Sequence, residues 1–173
     1  MNGGAPTSLS VCVRDHLACV RISGRANFTS SVDFKKVLQQ LQQDGCTEIV
    51  LDLTECSLMD STFLGVLAGA GMKCDSARRE GSRCAIELFH PTERILELLD
   101  NLGVLSLFTI LQEAPQLGAF ERVDESPATR LELNRTCLEA HKTLMNTSPD
   151  NERRFKDATE FFEKNLRKEE GKE

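Results

Sequence analysis

Leu9, Val11 and Val13 alternate with polar residues, and after Asp15 and His16 a Val- and Ile-rich pattern resumes over residues 17–23. Two such runs around a short polar break predict a β-hairpin. Gly24, Arg25, Ala26 and Asn27 interrupt the pattern as a loop would. Ser30, with Asp33 three positions on, reads as a helix N-cap. Phe34, Val37, Leu38 and Leu41 then share one helical face, and Gly45 closes the helix. Residues 48–53 (EIVLDL) form a nearly continuous apolar run, the mark of a central strand covered on both faces.

Beyond Met59 the period changes. Phe63, Leu67, Ala70, Cys74 and Ala77 recur at helical spacing. Residues 83–89 return to strand. Pro91 opens a further helix, with Ile95, Leu98, Leu99 and Leu102 facing inward and Gly103 at its end. Residues 105–111 read as a last strand. Strands alternating with helices after an initial hairpin predict an α/β fold with a mainly parallel sheet.

Residues 8–114 are thus expected to form one domain, and 115–128 a polar, Gly- and Pro-containing linker. Residues 129–170 are expected to form a C-terminal helical extension. In that extension Leu131, Leu138 and Leu144 share one face, while Ser148 and Pro149 start a second helix with the stripe Phe155, Ala158, Phe162 and Leu166. Neither helix can bury its stripe alone. A helical hairpin is expected, packed on the domain or on a second copy as a homodimer.

Composition then narrows the function. Of 173 residues, 40% are hydrophobic, enough for a real core. The net charge of -6 lies wholly in residues 1–128, which hold 11 basic and 17 acidic side chains against 10 of each beyond. An acidic body argues against a nucleic-acid surface. No apolar run approaches the roughly 18–20 residues of a membrane span, and residues 1–8 lack a signal-peptide pattern. The seven cysteines contain no Cys-x-x-Cys pair and read as buried, reduced residues of a cytoplasmic protein. His16, His90 and His141 are widely separated and lack metal-ligand spacing; no phosphate-binding glycine loop and no Gly-x-Ser-x-Gly elbow occurs. No enzyme, cofactor or metal site is expected.

The informative segment runs from Leu51 to Gly71, LDLTECSLMDSTFLGVLAGAG. A buried strand ends at Asp52, and Asp60 is a natural N-cap that puts Ser61 and Thr62 in the first turn of a helix. Gly65, Gly69 and Gly71 each cost this helix about 1 kcal/mol relative to alanine, which predicts a close approach by the sheet or a partner. A hydroxyl at that place is either a plain cap or a phosphorylation site. A phosphate there would add roughly -1.5 to -2 charges and three acceptor oxygens. The helix dipole tolerates that charge and nearby Asp52 and Asp60 repel it. Such a group would drive off a docked partner and leave the fold intact.

This segment resembles the signature of the STAS domain found in bacterial anti-sigma-factor antagonists. Asp52 and Leu53 match its strand end, and Met59, Asp60, Ser61, Thr62, Phe63, Leu64 and Gly65 match its helix start. Ile22, Ser23, Gly24 and Arg25 match a loop motif, residues 94–99 the closing helix, and Leu107, Phe108, Thr109 and Ile110 the tail. The resemblance implies a STAS fold and partner switching that regulates transcription. The unphosphorylated protein would bind an anti-sigma factor that is also an ATP-dependent serine kinase, and phosphorylation would release it. A serine phosphatase would reset the switch.

Carried over, Ser61 is the leading acceptor and Thr62 the second. Asp52, Met59, Asp60, Phe63, Gly24, Arg25 and Asn27 would make the partner-binding surface. Two residues depart from the family pattern: Phe63 replaces a glycine, and Asn27 stands where many members carry aspartate. Two other classes remain open. One is a STAS-type adaptor, in a scaffold or transporter complex, that needs no phospho-switch. The other is a thiol enzyme built on Cys56.

Overall fold

The computed structural model describes residues 5–171, so residues 1–4 of the N-terminal stretch read for a leader pattern lie outside it. Strands β1 (Ser8–Arg14) and β2 (Leu17–Ala26) form the expected antiparallel hairpin. Asp15 turns the chain at φ 55°, a left-handed conformation that Asp adopts more readily than most residues. β2 runs three residues beyond expectation, through the stretch read as a loop. A register shift between Gly24 and Arg25 absorbs the break. Gly24 sits at φ 83°, a left-handed conformation that favours glycine, and a Cβ there would meet the Pro6 carbonyl oxygen at 2.5 Å.

Helix α1 (Phe28–Gln43) is capped by Asn27, not by Ser30. Asn27 accepts from the Thr29 and Ser30 N–H groups, and the Ser30 hydroxyl accepts from the Asn27 N–H, a reciprocal capping box. The helix therefore starts one turn earlier than the Ser30–Asp33 pattern implied. Strand β3 (Glu48–Asp52) follows, then β4 (Cys56–Met59), where a plain loop was expected. β4 is short and pairs with the end of β2 beyond the reach of β3, so it has no apolar run of its own.

Helix α2 (Ser61–Arg79) leads to β5 (Ala85–Phe89) and helix α3 (Glu93–Asn101), whose cap is Thr92. The stretch read as one last strand divides into a 3-10 turn (Leu105–Leu107) and β6 (Thr109–Leu111). The linker is not wholly irregular: β7 (Glu121–Arg122) pairs antiparallel with β1 and covers its open edge. The sheet order is β6-β5-β3-β2-β1-β7, with β4 alongside β2. Every pairing from β2 through β3 and β5 to β6 is parallel.

Alternation along the strands divides the sheet into two faces. Ala18, Val20, Ile22, Ile49 and Leu51 join the main core with Phe34 and Leu38 of α1 and with Phe63, Leu64 and Leu67 of α2. Cys12, Cys19 and Val50 are buried outside that cluster. On their face the linker crosses the sheet, with Gly118 near Cys12 and the Phe120 ring 4.0 Å from the Arg21 guanidinium carbon. The central strands are thus covered on both sides, once by helices and once by a connecting segment.

Helices α4 (Arg130–Met145) and α5 (Pro149–Glu169) form the C-terminal hairpin, with Ser148 capping α5 as expected. Of the expected row Leu131, Leu138 and Leu144, only Leu144 is buried, on a face it shares with Cys137, Ala140 and His141, while Leu131 and Leu138 are half-buried. Its neighbour is helical, so small and polar groups meet α2 where leucines were anticipated. Leu144 and Phe155 belong to the domain core. Of the two stripes, Leu144, Phe155 and Leu166 are buried within one chain, and Leu131, Leu138, Ala158 and Phe162 are half-buried. Phe161 is left 60% exposed.

Cys74 and Cys84 are joined in a disulfide, contrary to the expectation of seven reduced thiols. The turn after α2 brings them to a Cα separation of 4.9 Å. The other five cysteines are free and buried.

Phe63 ties α2 to α1, its ring stacked on Phe34 with centroids 4.4 Å apart. Phe63→Ala is expected to cost about 3–5 kcal/mol, the range for an aromatic-to-alanine change in a core. Urea denaturation checks this; a loss below about 1 kcal/mol would show that the pair does not hold the two helices.

Candidate functional site

The site is built on one carboxylate. β4 delivers the chain to Asp60, whose N–H donates to the Ala26 carbonyl at 2.9 Å. One carboxylate oxygen accepts from the Phe63 N–H at 2.9 Å and caps α2. The other accepts from the Phe28 N–H at 2.6 Å, at the first residue of α1. Asp60 therefore binds both helix starts, and two positive helix ends converge on one negative side chain.

Ser61, next in the chain, is the first residue of α2 and is partly exposed. Its hydroxyl lies 3.0 Å from His141 Nε2. His141 Nδ1 is 2.6 Å from the Cys137 carbonyl oxygen, which can only accept, so Nδ1 carries the proton. In the neutral ring Nε2 is then the acceptor, and Ser61 donates to it. His141 is 5% exposed, with the Phe155 and Phe162 rings beside it. A serine bonded to an oriented imidazole has the outline of a nucleophile and base. The enclosing rings make it a packed contact, with Ser61 held by α4.

Thr62 is 3% exposed, and its hydroxyl points at Cys137 Sγ, 3.6 Å away. Gly65 completes the seam: a Cβ there would meet the Ala140 carbonyl oxygen at 2.5 Å. The close approach foreshadowed by the glycines is thus made by the chain's own α4. At Gly71 it is made by the Phe108 ring, 2.9 Å from a built Cβ.

The remaining expected site residues divide. Asn27 is occupied as the cap of α1, and Gly24 and Arg25 lie on β2 beside β4. The Arg25 carbonyl accepts from the Thr7 hydroxyl. Phe63 is fully buried and Met59 nearly so, and both belong to the core cluster. These two side chains face inward and offer no partner surface in this arrangement. Asp52 bonds Arg21 Nε at 3.0 Å and the Thr54 hydroxyl at 2.7 Å. It buttresses the strand end without bonding to Ser61. His141 and Cys137 were missed by sequence reasoning. They lie 80 and 75 residues from their partners, and only the i, i+4 pairing of small and polar groups on α4 hinted at a helix-facing surface.

Burial pushes the Cys56 thiol up to about 11, against the lowering effect of contacts with the Leu58 and Ala26 backbone. It stays a neutral thiol near pH 7, which argues against thiol catalysis there. No group of three or more His, Cys, Asp or Glu able to hold a metal occurs among the described residues. No helix among them is long and apolar enough to cross a membrane.

Two outcomes follow from the carboxylates. Asp60→Ala removes the cap and is expected to cost about 0.5–2 kcal/mol in thermal or urea denaturation. Asp60→Asn should recover part of that, because an amide has one acceptor oxygen for two N–H donors. A neutral Asp60→Ala would show that neither helix start depends on it. At Asp52, burial raises the carboxyl, but Thr54 and Arg21 outweigh it and hold the group below its ordinary 3.8. A carboxyl with a depressed folded value stabilises above its unfolded value and loses that contribution as pH falls through the folded one. Stability should therefore fall below about pH 4 more steeply in the wild type than in Asp52→Asn. Parallel pH profiles would contradict the pairing.

The family model of the STAS domain matches residues 8–117. Among solved structures, the anti-sigma factor antagonist SpoIIAA in its unphosphorylated form is 15% identical, over 61% of this chain and 89% of that one, with a TM-score of 0.50. The Bacillus cell fate determinant SpoIIAA in the phosphorylated form is 16% identical, over 62% and 93%, with a TM-score of 0.47. An anti-sigma factor antagonist from Mycobacterium paratuberculosis is 14% identical, over 62% and 87%, with a TM-score of 0.49. The parallel sheet with its leading hairpin, the capped start of α2 and the match over residues 8–117 lead to one conclusion: this chain belongs to the STAS-domain family.

Proposed function

We propose that this protein is an anti-sigma-factor antagonist that works by partner switching. Unphosphorylated, it binds an anti-sigma factor that is also an ATP-dependent serine kinase; phosphorylated on Ser61, it lets go, and a serine phosphatase restores it. The observation that carries this reading is the placement of Ser61. It is the first residue of α2, directly after its cap, and is partly exposed, whereas Thr62 is buried against Cys137. That difference favours Ser61 over Thr62 as the acceptor. The solved neighbour of the same fold is itself described as an anti-sigma factor antagonist.

A phosphate on Ser61 would add about -1.5 to -2 charges beside the Asp60 carboxylate. Asp60 already caps α2 and accepts from the start of α1, so the added charge bears on the contact between Ser61 and the C-terminal hairpin more than on the α/β domain. In this reading the chain is a cytoplasmic binding module, and the ATP belongs to the kinase. The adaptor reading draws support from one contact, the bond from Ser61 to His141, which gives the hydroxyl a structural use.

Immobilised wild type and Ser61→Asp, exposed to lysate of the native cells and read by mass spectrometry, test the proposal. Wild type should retain an ATP-binding anti-sigma kinase, and Ser61→Asp should retain at least tenfold less, the effect of about 1.4 kcal/mol. Identical partner sets would overturn it in favour of the adaptor.

A further inference from the structure

We propose that the α4–α5 hairpin is an intramolecular cap on the start of α2, competing with the partner and its kinase for Ser61. This rests on Ser61 being the switch. The seam between cap and domain includes the switch residue itself and the helix turn that follows it. Ser61 donates to His141, Thr62 to Cys137, and Gly65 lies against Ala140. Phosphorylation replaces the Ser61 hydroxyl proton, so the bond donated to His141 Nε2 at 3.0 Å is lost and the added group must be accommodated at the seam. A phosphate on Ser61 therefore removes one of the contacts that hold the cap closed and weakens the closed state.

The hairpin is built to move as a unit. Its two helices are joined by the pairs Arg130–Glu169, Arg135–Glu170 and Lys142–Glu163 at 2.7–2.9 Å, and by the bond from Asn134 to Glu169. It is tethered by the largely exposed linker. A cleft of about 370 Å³ opens between α1, α2 and α4, with Gln39, Gly69, Lys73 and Thr143 on its walls. Outside the seam the hairpin is held by Lys35–Glu139 and Lys36–Glu132 to α1, and by Asn151 and Thr147 donating to the Leu102 carbonyl. Both ion pairs are partly exposed, and such pairs contribute little and are screened by salt. Leu144 and Phe155 reach the core, so the closed form dominates and opening is a minor state that a bound partner would draw out.

Cys137 reports the cap directly, because it is buried on α4 at the seam, while Cys56 is buried on β4 inside the domain. Burial also holds both thiols up, which keeps them slow to alkylate when closed. Full-length protein is treated with iodoacetamide, and the two sites are followed by peptide mass spectrometry. Gly65→Ala pushes on the Ala140 backbone while improving the helix propensity of α2. Ala140→Arg opens the seam from the other side. Either variant should raise Cys137 alkylation at least tenfold with Cys56 unchanged, and phosphoserine incorporated at position 61 should do the same.

Exposure of Cys137 and Cys56 together in both variants would overturn the proposal, because hairpin and domain would then be one cooperative unit. Unchanged protection of Cys137 in the phosphoserine protein would overturn it too, since the phosphate would then not weaken the closed state. No kinase or sigma factor takes part in this labelling. A failed capture in the lysate thus counts against the partner-switching reading alone, and a failed labelling against the cap alone.

Discussion

Two helices begin at a single side chain. The Asp60 carboxylate accepts one N–H from the start of α1 and one from the start of α2, and its own backbone is anchored to the end of β2. Everything at the site is measured from that point. It sets Ser61 as the first helical residue, turns Thr62 and Phe63 inward and lets Phe63 stack on Phe34. Without it, the Phe63 N–H at the start of α2 and the Phe28 N–H at the start of α1 would each lose their side-chain acceptor, although Asn27 would still cap α1.

The same arrangement explains the cost accepted along α2. Glycines inside a helix are unfavourable, yet Gly65 and Gly71 stand where another element comes within van der Waals distance. One of those elements belongs to the α/β domain and the other to the C-terminal hairpin. α2 is therefore the middle layer of the molecule. It is packed on the sheet side through Leu64 and Leu67, and on the far side through the seam with α4. A binding face in this position can be open or covered, and the covered state is the one seen.

The strands and helices with a strong period were legible in the sequence, because burial on one face leaves a repeat that composition cannot hide. Val20, Leu51, Ile95 and Leu99 are examples. The misses have physical causes. β4 and β7 are short and held by a neighbour's edge, so their residues carry no pattern. Asn27 outcompeted Ser30 as a cap because β2 runs on through Gly24 to Ala26 and delivers the chain to α1 earlier. At the site, the cap and the two hydroxyls of the first turn were readable from Asp60, Ser61 and Thr62, though not that Thr62 is buried and Ser61 only partly exposed. His141 was not, since its role comes from a tertiary contact across 80 residues and from a helix face chosen by shape and not by hydrophobicity.

The central claim is that Ser61 is a phosphoryl acceptor, and phosphopeptide mapping tests it most directly. Full-length protein is incubated with ATP and an extract of its own cells, beside Ser61→Ala. The account predicts phosphate on the peptide containing Ser61 in the wild type and its loss in Ser61→Ala. Phosphate that persists in Ser61→Ala, or none on that peptide in the wild type, would contradict it.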